Sequence, residues 1–342
     1  MNTSFGQPAT RDGSRWTPER LSTLGLALAL GLCALGAGGI HLAVLAPSAL
    51  LVSAAGLFLV FASARGARVR LGWHASLAVF AWLGLALFCL VQCWPLPLGT
   101  LARLAPDSAD IWARALHPFG LAAPARASLS LAPGRSVIEA LKAVFYASIF
   151  ALGARLGQRH GSISSAAIAF GLCLLVAAVT AAHALSSAQR LYGAYTPLDA
   201  YSIAPILNAN SRAGYLNLGF FCGLGLLFRA GRTRRAALIG LGLAFLATEI
   251  LLCESRAGTG ALALGLLLVA ALPQTAPHPQ SSLEPSRSQR LGIVLAIAAA
   301  GALFAWSERR SPLRLDDHSL DKFQLFARAW QLAKAHLVFG VG

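Results

Sequence analysis

Glu254-Ser255-Arg256-Ala257-Gly258 is a polar knot set between two apolar runs, Ala236–Cys253 and Ala257–Leu272. Each run is about long enough to cross a hydrocarbon core of roughly 30 Å at 1.5 Å per helical residue. The pair therefore predicts a membrane hairpin with Arg256 at its tip. Insertion scales put an arginine at a cost of about 2.5–3.5 kcal/mol at the bilayer centre, falling towards zero where the side chain reaches water. Two readings stand at this point: a snorkelling arginine that merely ends a helix, or a guanidinium that receives an anion.

Outward from the hairpin, the whole chain is apolar. Its 342 residues are 56% hydrophobic and 12% charged, with a mean hydropathy of +0.64. A soluble domain of this size carries about 25% charged residues. The net charge of +15 is scattered in short basic clusters between apolar runs, with no basic face interleaved with aromatics, which excludes nucleic acid as a partner. All six cysteines (Cys33, Cys89, Cys93, Cys173, Cys222, Cys253) lie inside apolar runs, where cysteine behaves as a small hydrophobe, so neither disulfides nor a metal site is expected. The first twenty residues are polar, and the apolar run after them exceeds a signal-peptide core; it reads as an uncleaved first span.

Hydropathy predicts nine spans, at about 21–40, 43–63, 74–94, 137–154, 163–184, 213–228, 236–253, 257–272 and 291–307. The fold class is thus all-α, a polytopic transmembrane bundle. With the N-terminus in the cytoplasm, the inside segments hold fourteen arginines, from Arg11, Arg15 and Arg20 to Arg287 and Arg290. The outside connections up to residue 290 hold seven, Arg103, Arg114, Arg126, Arg135, Arg190, Arg212 and Arg256. Positive residues stay inside, so residues 1–20 form a cytoplasmic segment before a membrane domain over 21–307.

Three features then face outward: the connection 95–136, the loop 185–212, and everything after about residue 307. Loop 95–136 reads mostly as a surface or re-entrant connector, its prolines stopping the helix before it and its Trp94 and Trp112 suiting an interfacial belt. The inner loop 273–290 is a Pro-, Ser- and Gln-rich linker. Residues 321–336 alternate at helical spacing, with Phe323, Phe326, Trp330 and Leu337 on one side. That amphipathic helix either lies on the outer leaflet, caps a cavity, or packs on its own domain.

Five stretches together resemble the O-antigen ligase and polymerase superfamily of bacterial polysaccharide enzymes. Val91-Gln92-Cys93-Trp94-Pro95-Leu96-Pro97 is similar to the family's Gln-x-x-Pro-Leu-Pro exit from an early span, and Ser128-Leu129-Ser130-Leu131-Ala132-Pro133 to its Leu-Ser-x-x-Pro segment. Asn208-Ala209-Asn210-Ser211-Arg212-Ala213-Gly214-Tyr215-Leu216 resembles its Asn-x-Asn-x-x-Ala-Gly-Tyr-Leu helix entry, with Ser211 where histidine is common and Arg212 where an apolar residue is usual. Ser255-Arg256-x-Gly258 resembles its Ser-Arg-x-Gly hairpin, and Phe339-Gly340-Val341-Gly342 the start of its Gly-Val-Gly-x-Gly segment.

The resemblance implies an enzyme of the bacterial inner membrane that moves a glycan from undecaprenyl diphosphate to the hydroxyl of a lipid A core or related acceptor. It needs no cofactor or metal, and residues 308–342 would open its large periplasmic loop. Arg256 is then the catalytic guanidinium that meets charge on the diphosphate, with Arg190, Arg212 and Lys142 as further phosphate contacts and Asn208 and Asn210 beside them. Plainer roles compete: an ion pair with Glu139 for Lys142, helix capping for Asn208 and Asn210, and for Glu249 a basic partner within the bundle. His318 and His336 precede the Gly-Val-Gly segment, so the family's general base is expected beyond Gly342, and residues 1–342 alone are expected to be inactive. A polymerase or a protein glycan transferase of the same superfamily fits the same motifs. A permease for a small anion stands as the non-enzymatic alternative.

Overall fold

The computed structural model describes residues 17–64, 71–160, 162–196, 203–230, 233–271 and 317–335. The expected ninth span at 291–307, His336 and the segment Phe339-Gly340-Val341-Gly342 lie outside the described residues. Eleven helices are described: α1 (Pro18–Leu35), α2 (Leu42–Ala64), α3 (Trp73–Gln92), α4 (Leu98–Leu104), α5 (Pro106–Ala115), α6 (Pro133–His160), α7 (Ser162–Leu185), α8 (Ala209–Ala230), α9 (Arg234–Leu252), α10 (Arg256–Ala271) and α11 (Asp317–Ala335). Two-residue strands β1 (Leu96–Pro97) and β2 (Arg126–Ala127) pair antiparallel.

Among the described residues six helices, α2, α3, α6, α7, α8 and α9, are long and apolar enough to cross a membrane. α10 is apolar but shorter. The chain is an α-helical membrane bundle, and its outer surface agrees: Leu50, Phe80, Leu87 and Leu241 are well exposed, as suits side chains whose solvent is lipid. Helix starts follow local chemistry. Thr17 caps α1 by accepting from the Arg20 amide, with Pro18 in the first turn, and Thr233 caps α9 by accepting from the Ala236 amide.

In lipid, helices gain little by hiding apolar surface from one another and associate through close packing. The main core joins α7, α8, α9 and α10 around Leu216, Leu246, Ile250 and Leu262, all fully buried. A second core ties α1 and α2 to α6 through Ala29, Val52, Ala55 and Phe145. α3 meets α6 through the small residues Ala86, Ala140 and Ala143. Gly219 lets α8 press on α7 so closely that a Cβ there would overlap Cys173.

One end of the bundle gathers several segments. The Tyr192 hydroxyl donates to the Leu35 carbonyl at 2.8 Å, binding the chain after α7 to the end of α1. His41 meets the Tyr195 ring edge-on at 5.3 Å. Ala34, Ile206, Ala213 and Cys253 share the main core, which brings the entry of α8 and the α9–α10 turn to the same end.

The connection 95–136 differs from the plain connector expected. It folds α4, α5 and the strand pair around its own small core of Leu101, Ala109, Ala127 and Leu129. Trp112 packs on that core and its indole N–H donates to the Ser128 carbonyl at 3.0 Å, whereas Trp94 is exposed. Proline explains the difference: Pro106 sits in the first turn of α5, where its missing N–H costs nothing, so it starts a helix instead of ending one. The Ser130 amide ties this unit back to the Gln92 carbonyl at the exit of α3.

Candidate functional site

The knot at 254–258 folds as a turn and a helix cap. Glu254 takes φ of +55, the left-handed conformation that reverses the chain after α9. Ser255 is the N-cap of α10: its Oγ accepts from the Gly258 amide at 3.0 Å, and its carbonyl accepts from the Thr259 amide at 2.9 Å. The same Oγ donates to Oδ1 of Asn210 at 2.6 Å. One hydroxyl thus caps α10 and fastens it to the first turn of α8.

α8 is capped in the same way, with Asn208 Oδ1 accepting from the Ser211 amide at 3.0 Å. Deeper down, Asn217 Nδ2 donates to the carbonyls of Ala213 (3.0 Å) and Gly258 (2.9 Å), a second clasp between the helices. Only glycine fits at 258, because a Cβ there would collide with that of Ala213. Two helix N-termini are thereby held side by side, and their partial positive ends reinforce one another. Asn208, Asn210 and Arg256 are exposed around this junction.

Arg212 is elsewhere than the surface. It is only 3% exposed, its Nε donates to Cys253 Sγ at 3.0 Å, and its Nη1 is buried without a hydrogen-bond partner. Glu249, one turn before Cys253 on α9 and 6% exposed, lies in the field of this guanidinium. Arg212 is thus the basic group that acts on Glu249 through space, without a salt bridge between them. Both side chains belong to the interior beneath the turn.

The remaining expected site residues are spread out. Lys142 on α6 is bound to Glu139 one turn away at 2.7 Å, and α6 packs mainly against α3 and α2. Arg190 is exposed on a hook, residues 186–195, that borders an open pocket of about 540 Å³. His183 anchors the hook: its Nδ1 lies 2.7 Å from the Val179 carbonyl, and its Nε2 accepts from the Tyr192 amide at 3.0 Å. Burial pushes the Tyr192 phenol up, keeping the proton with which it holds Leu35. Among the described residues no three His, Cys, Asp or Glu side chains stand together as a metal-binding group, and the six cysteines are free.

Sequence reasoning picked out Arg256, Asn208 and Asn210 but assigned nothing to Ser255 or Asn217, which do the joining. The signal for Ser255 was present, since serine one position before a helix start is a preferred cap. No pattern connects it to a residue 45 positions earlier.

The fold and this junction define a multi-pass helical membrane protein with two capped helix N-termini meeting at one end of the bundle. No protein-family model, no curated protein and no solved structure matches the chain.

Proposed function

We propose that this protein is a membrane glycosyltransferase of O-antigen ligase type, working at the inner membrane of a bacterium on an undecaprenyl-diphosphate-linked glycan with a lipid A core or related hydroxyl as acceptor. The observation that carries the reading is the 2.6 Å bond from Ser255 to Asn210. It unites the two motif segments that resemble the superfamily most, Asn208–Leu216 and Ser255–Gly258, into one positively polarised corner next to Arg256.

In the transfer, the bond from the anomeric carbon to the diphosphate oxygen breaks and its electron pair leaves with the diphosphate. A new bond forms from that carbon to the acceptor oxygen, whose proton passes to a base. Charge grows on the leaving oxygens, and two helix N-termini with an exposed guanidinium suit that growth. Arg256 supplies paired N–H donors to the diphosphate, and Asn210 and Ser255 hold it in register. Arg190 on the 186–195 hook and Lys142 on α6 are further candidates for phosphate contact from other segments, and Arg212 supports the turn from below.

The test is retention of undecaprenyl diphosphate by the chain in nanodiscs, followed by native mass spectrometry, with glycan transfer followed in membranes. Arg256→Ala is expected to lose retention, and Arg256→Lys to keep part of it while losing transfer, because an ammonium lacks the planar paired donors. Full retention by Arg256→Ala would overturn the reading. Small-anion flux in proteoliposomes that needs Arg256 would favour a permease instead.

A further inference from the structure

α11 lies apart from the helices that build the site, and its surface is unusual. Every side chain from Gln324 to Lys334 is exposed, including Leu325 at 67%, Phe326 at 73% and Trp330 at 63%. No other described helix packs extensively on it. Helical spacing puts positions 323, 326, 330 and 333 on one side, while Asp317, Asp321, Gln324, Arg328 and Gln331 fall in a polar stripe about 80° wide on the other.

The charges are sorted along with the apolar residues. Both aspartates lie in the stripe, and both lysine positions, 322 and 334, lie on the aromatic side. The Lys334 ammonium stands 5.3 Å over the Trp330 ring. A protein groove covering this side would have to bury two lysines and supply carboxylates for them. A lipid surface asks for neither. Aromatic rings settle at the boundary between acyl chains and headgroups, lysine stems run along the apolar side, and their ammonium groups reach the phosphates. α11 is not among the helices long and apolar enough to cross a membrane. The bundle already holds the helix near a bilayer, so docking needs only a modest gain in contact energy.

We propose that α11 lies flat on the anionic phospholipid surface of the membrane that the bundle spans, with Phe326 and Trp330 turned inward and the Gln324–Gln331 stripe in water. Lys322 and Lys334 then read the phosphates, each contributing to attraction that falls off within a Debye length. This holds whether or not the protein transfers glycans.

The experiment places a benzophenone amino acid singly at 324, 326, 330 or 331 of the full chain in nanodiscs of phosphatidylethanolamine with phosphatidylglycerol. Illumination and mass spectrometry then identify what each position captures. Positions 326 and 330 are expected to give phospholipid adducts several-fold more often than 324 and 331. The double charge reversal Lys322→Glu/Lys334→Glu, or exchange of phosphatidylglycerol for phosphatidylcholine, is expected to reduce those adducts several-fold. Cross-links from 326 and 330 to the bundle or to a second copy would overturn the proposal. So would equal lipid capture at all four positions, capture at none, or capture that ignores both charge changes.

Discussion

Arg212 and Arg256 stand four residues from the starts of the same two sequence motifs or nearer, yet one is enclosed at 3% exposure and the other faces out. Arg212 has Cys253 as an acceptor and lies in electrostatic reach of Glu249. Arg212→Met removes the bond to Cys253 and the positive field on Glu249, so it is expected to destabilise the protein by about 1–3 kcal/mol. Unfolding in mixed micelles measures this. Arg212→Met/Glu249→Gln should recover part of the loss, because neither charge is then left behind; a double variant as unstable as the single one would show that the field of Arg212 does not act on Glu249. Ser255 sits between the two arginines in role. Ser255→Ala removes a cap worth about 1 kcal/mol and also frees Asn210. Donor-lipid retention should fall by more than the stability loss explains, and Ser255→Thr, which keeps the hydroxyl, should restore it. The site residues were legible in sequence as polar groups at span ends, Arg256 and Asn208 above all. Their partners were not, since the Ser255–Asn210 and Arg212–Cys253 bonds join segments far apart in the chain.

At the level of elements, hydropathy reads the membrane-crossing part of a helix and misses its polar ends. α8 starts at Ala209 where the apolar run suggested 213, and α6 extends over Pro133–His160 where the run suggested 137–154. Capping by Asn208 and backbone continuity carry the helix past the residues that hydropathy rejects. Helices α4 and α5 stayed hidden for a related reason, as the flanking prolines and the short apolar spacing of Leu98, Leu101, Ala109 and Trp112 resemble a loop. The α8–α10 crossing depends on a single hydrogen atom at Gly258. Gly258→Ala is expected to cost about 1–3 kcal/mol through overpacking against Ala213. It should also lengthen the reach from Asn217 to the 258 carbonyl, so that protection of the amides at 258 and 259 falls in hydrogen exchange. A second-site change Ala213→Gly, which removes the opposing Cβ, should restore both stability and protection. Unchanged stability of Gly258→Ala would mean that the two helices are not in contact at this point.

Across the whole molecule, the proposed transfer depends on which side of the membrane the junction faces. Hydrogen bonds and core contacts bring the end of α1, the 186–195 hook, the entry of α8 and the α9–α10 turn to one end of the bundle. The basic residues Arg155 and Arg159, Arg229, and Arg234 and Arg235 belong to the opposite ends of α6, α8 and α9. Lysine and arginine in short loops are retained in the cytoplasm, so the junction end is expected to face the periplasm, where lipid-linked glycans are consumed in the proposed reaction. Gly120, exposed in the α5–β2 connection, and Thr233, exposed at the cap of α9, are suitable positions for inserted reporters because neither side chain enters a core. An alkaline phosphatase inserted at 120 should be active and one at 233 inactive, with a fluorescent protein giving the reverse pattern. The arginine bias can be tested within the same design: replacing Arg229, Arg234 and Arg235 by glutamine should weaken the preference and raise phosphatase activity at 233. Phosphatase activity at 233 but not at 120 in the unaltered protein would turn the bundle over. Arg256 would then face the cytoplasm, and a transfer that starts from a periplasmic diphosphate could not use it.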